Sequence, residues 1–363
     1  MLGHKKIPSR DGGIEVVVEK LSRRLIQRGV KVTCLNRQTH GEAMHFKSKC
    51  YEGIYVKVLP TLNFKRIAAV SSSITGAIVA ALGKYDVIHF HAEGPSFMCW
   101  LPKLFGKKII VTIHGLDHKR AKWGWFASWY IRKGERNAVK YADDVIVLSR
   151  DMQQYFKDKY NRDTVYIPNG VDKPALENID AVKNKFNLKK DNFILYLGRL
   201  VPEKGIHYLI KAYKDIQTDK ELVIAGGTSD TDNYVEYIKE LAQDDKRIKF
   251  TGFVDGTILA SLYSNAYCYV LPSDVEGMPL SLLEAMSYGN CCLTSNIPEC
   301  AEVVADNGVT FQKGSIKDLQ NKLRYLIDNP KDVDEYKQNA SGYILKKYNW
   351  EDVADKTIYL YKK

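Results

Sequence analysis

Glu276 and Glu284 bracket the stretch Glu276-Gly277-Met278-Pro279-Leu280-Ser281-Leu282-Leu283-Glu284, two acids eight positions apart where a loop gives way to a helix. Carboxylates accept hydrogen bonds from hydroxyls, and the free backbone N–H groups at a helix start favour phosphate. With about 1.5 Å of rise per helical residue, the two acids are expected to stand on the order of 10 Å apart, roughly the reach from a sugar ring across two phosphates to a ribose. The segment thus offers partners for all three parts of a nucleotide sugar. A surface helix with two solvated acids is the alternative, and the flanking Leu280, Leu283 and Met286 argue instead for a helix packed on a sheet.

A second constellation lies upstream. Gly198-Arg199-Leu200-Val201-Pro202-Glu203-Lys204-Gly205 follows the apolar run Phe193 to Leu197 and precedes a helix whose Ile206, Leu209, Ile210 and Tyr213 form one apolar face. A lysine beside a helix N-terminus opposes the macrodipole by roughly several tenths of a kcal/mol, so an anion that satisfies both is a reason to find one there. Diphosphate is such an anion, and an arginine fork with a lysine point charge neutralises it without any metal. Two solvated surface cations are the plainer alternative. His89 and His91 alternate along a strand, with Glu93 following. No further ligand spacing supports a metal there, so a polar cleft wall is the expectation.

Three of the five tryptophans, Trp123, Trp125 and Trp129, lie among the cations of residues 119–133. Tryptophan interleaved with Lys and Arg is the composition of a segment lying in a bilayer's headgroup region, where anionic lipid attracts each basic residue by about 1 kcal/mol. Against this, Phe126, Trp129 and Tyr130 have helical spacing and suit a core.

Short apolar runs supply the elements that must hold these residues. Val30 to Leu35, Ile54 to Leu59, Asp86 to Phe90, Lys108 to Ile113 and Asp144 to Leu148 read as strands of a first unit. Phe193 to Leu197, Glu221 to Ala225, Ile248 to Thr251, Tyr267 to Leu271 and Cys291 to Thr294 read as strands of a second. Continuous hydrophobicity with helices between predicts parallel sheets covered on both faces, hence two doubly wound α/β units facing each other. Ile14, Val17, Val18, Leu21 and Leu25 line one face of a first helix that Gly12-Gly13 opens and Gly29 ends, with Glu15, Glu19, Arg23 and Arg24 outside. Only Met1-Leu2-Gly3 precedes it, too short for the central strand such a unit begins with, so the strand is clipped or the true start lies further upstream. Within Pro279 to Gly289, the proline suits a first helical position and the glycine a helix end. The turn-forming segment Pro168 to Pro174 divides residues 1–172 from 173–349, and a helix over 350–363 is a candidate to pack back on the first domain.

A chain of 363 residues with 45% apolar content supports two cores. Its seven cysteines contain no C-x-x-C pair, which points away from a zinc knuckle or disulfide framework and toward a reduced cytoplasm. No signal-like apolar stretch opens the chain, and no run of eighteen apolar residues predicts a spanning helix. Residues 1–172 hold 29 Lys+Arg against 15 Asp+Glu, and residues 173–363 hold 25 against 28. The first half is therefore expected to meet something anionic; nucleic acid, an acidic membrane and a phosphate-bearing acceptor all qualify by sign.

The chain resembles the retaining, two-lobed glycosyltransferases of family 4. The resemblance runs in order through Gly12-Gly13, Thr112-Ile113-His114-Gly115, Ile167 to Asp172, Leu197-Gly198-Arg199, Glu203-Lys204-Gly205, Thr251 to Val254, and Pro272-Ser273 with Glu276 to Glu284. It implies the α/β GT-B fold, two Rossmann-like doubly wound parallel-sheet domains facing a cleft. It implies that Arg199 and Lys204 grip the donor's diphosphate, that Glu276 holds the sugar hydroxyls with Gly277, Met278 and Leu280 beside it, and that Glu284 holds the ribose. The backbone of Gly13 approaches the phosphate, His114 lies beside the sugar, and Gly252-Phe253-Val254 borders the base. Two departures stand out: Gly277-Met278-Pro279 where many members have Gly-Phe-Gly, and Cys291-Cys292 where they have Pro-Val. Asp230-Thr231-Asp232 resembles the acid pair with which other glycosyltransferases hold manganese, but its Ser/Thr/Asp/Gly setting reads as a turn. The expectation is a cytoplasmic transferase without metal or other cofactor, peripheral on the inner face of the plasma membrane. It moves a sugar from a nucleoside-diphosphate donor, UDP favoured, to a glycan or lipid-linked acceptor, with no nucleic acid partner. A nucleotide-sugar epimerase of the same plan and a non-catalytic nucleotide-sugar-binding subunit are the competitors.

Overall fold

The computed structural model describes residues 1–10, 12–38, 47–62, 67–116, 124–228 and 231–363. They form two compact units, Met1–Asn169 with Trp350–Lys363, and Gly170–Asn349.

In the first unit, β1 (Thr33–Arg37), β2 (Lys47–Tyr51) and β3 (Ile54–Leu59) pair in the order β1-β3-β2. β4 (Val87–His91), β5 (Lys108–Ile113), β6 (Asp144–Val147) and β7 (Val165–Tyr166) pair in sequence. The short start of the chain bridges the two groups. The amide of Leu2 donates to the His89 carbonyl at 3.0 Å, and that of His91 donates back to Leu2 at 2.9 Å. On the other side, the amide of Leu35 donates to Met1 at 2.9 Å, while the terminal amine donates to the Thr33 carbonyl at 2.9 Å. Three residues thus do the pairing of a central strand. Only glycine fits at position 3, where φ is +109° and a Cβ would stand 2.2 Å from the His91 carbonyl oxygen.

The pairings are parallel except β2 with β3, whose antiparallel hairpin the sequence did not announce. Lys47-Ser48-Lys49-Cys50-Tyr51 lacks an apolar run because it lies at the sheet edge, where charge guards against further pairing. The core between strands and helices is built from Leu2, Leu35, Phe90, Ile109, Val111, Ile113, Val147 and Phe156.

The helix Gly13–Gln27 buries Val17, Val18, Leu21 and Leu25. Two residues expected on its outer face are also buried, Glu15 and Glu19. The reason is hydrogen bonding: Glu15 accepts from the Lys5 amide at 2.7 Å, and Glu19 pairs with Arg23 at 2.5 Å. The helix Trp350–Lys362 packs on this one; Arg28 reaches Glu351 at 2.7 Å and Asp355 at 2.6 Å, and Arg24 lies over the buried Trp350 ring.

The second unit is a six-stranded parallel sheet. Its strands are β8 (Phe193–Leu197), β9 (Glu221–Ala225), β10 (Ile248–Gly252), β11 (Cys268–Leu271), β12 (Cys292–Ser295) and β13 (Val309–Phe311), in the order β10-β9-β8-β11-β12-β13. Helices between the strands make both faces dry, which is why the strands read as unbroken apolar runs. The chain first winds outward from β8 through β9 to β10, then returns to β11 and winds the other way. Between β8 and β11 the winding direction reverses, and in open α/β sheets ligands bind beyond the carboxyl ends of strands at such a point.

Candidate functional site

Two segments leave the sheet at that reversal. From β8 the chain passes Gly198 and Arg199 into a single 3-10 turn, Pro202–Lys204, then through Gly205 into the helix Ile206–Lys214. From β11 it passes Pro272 and Ser273 to Glu276 and enters the helix Leu280–Ser287. Gly205 holds the two together. Its φ is +67°, and a Cβ there would lie 2.0 Å from the Pro272 carbonyl oxygen. The Asp274 amide also donates to the Glu203 carbonyl at 2.9 Å, and the Tyr208 hydroxyl to Asp274 at 3.2 Å.

This close approach joins two residues 72 positions apart: Lys204 Nζ donates to Glu276 Oε1 at 2.5 Å. Both side chains are largely covered, 13% and 8% exposed. Ser273 Oγ, wholly buried, donates to the same oxygen at 2.6 Å, and Ser295 fixes the Ser273 carbonyl at 2.5 Å. Glu276 Oε2 has no hydrogen-bond partner among the described residues. Arg199 is half-buried, and its guanidinium makes no ion pair or hydrogen bond among the described residues, although its carbonyl accepts from Tyr196 at 2.9 Å.

Pro279 stands just before the helix as its cap, with ψ 104°, rather than at the expected first helical position. The helix starts at Leu280, whose N–H, like that of Ser281, has no partner among the described residues. Gly277 and Met278 are buried beneath, and Gly289, with φ +79°, follows the helix end. Glu284 sits on the helix at intermediate exposure, with the Tyr263 hydroxyl at 3.5 Å from its Oε2. Tyr269 ties the sheet to this helix, donating to Leu197 at 3.1 Å and sharing a 2.9 Å bond with Ser281. Beyond β10, Phe253 is exposed and Val254 half-buried ahead of the helix Gly256–Asn265.

The remaining candidates belong to the first unit. Gly13 is exposed at the start of its helix after an extended Gly12. His114 follows β5, and its Nε2 lies 3.0 Å from His91 Nδ1. His91 stacks on His89 at 4.2 Å, and His89 contacts the hydroxyls of Thr112 at 2.7 Å and Tyr361 at 2.6 Å. Desolvation pushes the His114 imidazole down to about 4, although the side chain keeps some solvent contact, because protein crowds the ring. It holds His89 and His91 well below the usual histidine range. All three are neutral at pH 7, so His114 offers hydrogen bonds there and no positive charge.

Among the described residues no group of three His, Cys, Asp or Glu side chains is arranged to hold a metal ion. Asp230 lies outside the described residues; Thr231 donates to the Leu200 carbonyl at 2.8 Å and Asp232 begins a helix.

The aromatic segment divides. Tyr130 is buried and stacks on Phe97 at 4.4 Å, as a core residue does. Phe126 and Trp129, which the helical spacing also suits to a core, are 55% and 52% exposed, and Trp125 is 84% exposed. Trp123 lies outside the described residues. Arg132, Lys133 and Arg136 are exposed further along the same helix, Trp125–Tyr141. The sequence expected His91 only as part of a polar cleft wall and Ser273 only within the Pro272-Ser273 pair, and gave neither a hydrogen-bond partner. A place three positions before Glu276 was the signal for the Ser273 contact, and His91 needed the strand pairing with Thr112 to come near His114.

Residues 11–173 match the family described as Glycosyltransferase Family 4, and residues 178–343 match that described as Glycosyl transferases group 1. Among curated relatives, an uncharacterised glycosyltransferase (MJ1607) of Methanocaldococcus jannaschii is 26% identical over 78% of this chain and 77% of its own. A glycogen synthase of Mycobacterium tuberculosis is 26% identical over 76% of this chain and 68% of its own. Among solved structures, Anabaena HepE in complex with UDP and glucose superposes with a TM-score of 0.80 at 17% identity, over 98% of this chain and 97% of that one.

Proposed function

We propose, from the premise that the chain is a glycosyltransferase of the GT-B fold, that it moves a sugar with retention of configuration from a nucleoside-diphosphate donor to a hydroxyl of a glycan or lipid-linked acceptor. The observation that carries this reading is the Lys204–Glu276 pair beside Arg199, at the winding reversal between β8 and β11. A cation for a diphosphate and a carboxylate for hydroxyls stand there within one hydrogen bond, and Arg199 lies five residues before Lys204 on the same loop.

Arg199, whose fork is unengaged among the described residues, takes the diphosphate with Lys204. Glu276 Oε2 accepts from sugar hydroxyls, and the free N–H groups of Leu280 and Ser281 add to the positive field at the helix start, beside Gly277 and Met278. Glu284 accepts from the ribose and Val254 borders the base. Gly13 is assigned the approach to the phosphate and His114, as a neutral imidazole, the flank of the sugar. As the glycosidic bond breaks, charge builds on the leaving phosphate, and the guanidinium and ammonium stabilise it there, so no metal is required. Retention follows when the acceptor hydroxyl attacks from the leaving-group face and passes its proton to the departing phosphate. Glu276 orients and does not attack.

UDP is the favoured nucleotide, supported by the fold likeness to a protein solved with UDP and glucose, and cell-surface polysaccharide synthesis is the favoured setting, supported by relatives that build glycans. The exposed Trp125, Phe126 and Trp129 with Arg132, Lys133 and Arg136 support peripheral contact with an anionic membrane on its cytoplasmic face. No helix among the described residues is long and apolar enough to cross one.

The test is a panel of UDP- and GDP-sugars with lipid extract as acceptor source, read by mass spectrometry, with acceptor-free controls that expose epimerisation. Transfer that loses at least 100-fold in Arg199→Ala and Glu276→Ala is expected; wild-type turnover in either variant refutes the assigned roles.

A further inference from the structure

The Lys204–Glu276 bond places a negative charge against the ammonium that the diphosphate needs. Glu276 Oε1 takes Lys204 at 2.5 Å and Ser273 at 2.6 Å, and both loops are braced, by the Asp274–Glu203 backbone bond and by Gly205 against Pro272. The carboxylate cannot easily swing away, since Ser273 is itself wholly buried and held by Ser295. Any phosphate reaching Lys204 therefore arrives within a few ångströms of a fixed carboxylate, in a covered site where like charges repel more strongly than in water.

From this we infer that Glu276 discriminates between the intact donor and the nucleoside diphosphate left after transfer. This rests on the reading above, that Lys204 meets phosphate and Glu276 meets sugar. With the sugar attached, its hydroxyls donate to Glu276 Oε2 and offset the repulsion between carboxylate and phosphate. Once the sugar has gone to the acceptor, those donors leave with it, and the proton that the phosphate took from the acceptor hydroxyl passes on to solvent at neutral pH, since a terminal phosphate gives up its second proton at about pH 6, which leaves the diphosphate one charge more negative than the donor was. The remaining nucleoside diphosphate then faces an uncompensated carboxylate. One side chain thus tightens the substrate and loosens the product, and product release gains its driving force from the same charge that recognised the sugar.

The experiment is isothermal titration of the full chain, wild type and Glu276→Gln, with UDP, GDP and ADP and with UDP-glucose, GDP-mannose and ADP-glucose. Glutamine keeps the shape and removes the charge. For the nucleotide that binds best, the substitution is expected to tighten the nucleoside diphosphate at least fivefold while weakening the nucleotide sugar, and to lower the product-inhibition constant in parallel. Glu284→Gln, assigned to the ribose, is the contrast and weakens both ligands. An unchanged or weakened affinity for the nucleoside diphosphate in Glu276→Gln overturns the inference while leaving the donor assignment standing. The wild type supplies a second check that needs no variant: the intact donor must bind more tightly than its own nucleoside diphosphate, and equal or inverted affinities overturn the inference. Failure of all six ligands to bind the wild type instead refutes the underlying donor assignment.

Discussion

Lys204 and Arg199 carry the same charge in the same loop, yet their removal should read differently. Lys204→Ala leaves the covered Glu276 carboxylate without its cation, and breaking a buried pair by removing one partner costs about 3 kcal/mol or more. Arg199 has no side-chain partner to abandon among the described residues, so Arg199→Ala should change stability by less than about 0.5 kcal/mol. Urea unfolding of the two variants beside their affinity for the nucleoside diphosphate checks this: both lose affinity, and only Lys204→Ala loses stability. Ser273→Ala belongs at this scale too. A hydrogen bond to a charged group contributes about 1.5–3 kcal/mol, so turnover of the intact donor is expected to fall roughly tenfold as Glu276 loosens.

Elements set the precision of that pair. The 3-10 turn and the helix after it are aimed by Gly205, whose left-handed backbone costs another residue about 1–2 kcal/mol before its Cβ meets Pro272. Gly205→Ala should therefore destabilise the second unit by more than about 2 kcal/mol and impair donor binding beyond what stability loss explains. A melting curve with and without nucleoside diphosphate separates the two effects. The helix Trp125–Tyr141 makes the opposite case, because its exposed aromatic rings contribute little to the fold. Trp125→Ala with Trp129→Ala is expected to leave the melting temperature within a few degrees of wild type and to abolish flotation with vesicles rich in anionic lipid. Flotation equal to wild type would remove the membrane assignment.

At the scale of the whole molecule, protonation divides the two units. His4, His89, His91 and His114, all in the first unit, have imidazoles held below the usual range by burial, His4 to about 3 and His114 to about 4. The unfolded chain takes up their protons near pH 6.5 while the folded chain refuses them. The stability this gives is present above pH 6.5 and drains away as the pH falls; for His4 and His114 the loss between pH 6.5 and 5 is on the order of 2 kcal/mol each. In the second unit His207 is lowered as well, with Asp274 opposing the shift. All five tryptophans belong to the first unit, so their fluorescence reports it alone while far-ultraviolet dichroism reports both. Between pH 7.5 and pH 5 the fluorescence transition should move down more than the dichroic one; parallel movement would count against this account.

What the residues determined unaided was local. β8 and β9 fall where the apolar runs end, because a strand buried on both faces must be apolar throughout. The order of turn and helix around Arg199, Lys204, Glu276 and Glu284 was legible for the same reason: glycine, proline and helical spacing act over a few neighbours. Edge strands escaped, since β7 and β13 are two and three residues long and β2 opens with Lys47-Ser48-Lys49, which is no apolar run. Only tertiary structure decided that Glu15 and Glu19 turn inward, that Met1–Gly3 pairs as a central strand, and that Tyr130 packs while Trp125 and Trp129 do not. It alone set the ammonium of Lys204 on the carboxylate of Glu276, 72 positions away. No spacing rule reaches that far; the contact exists because the sheet reverses its winding between β8 and β11 and brings two remote loops to one edge.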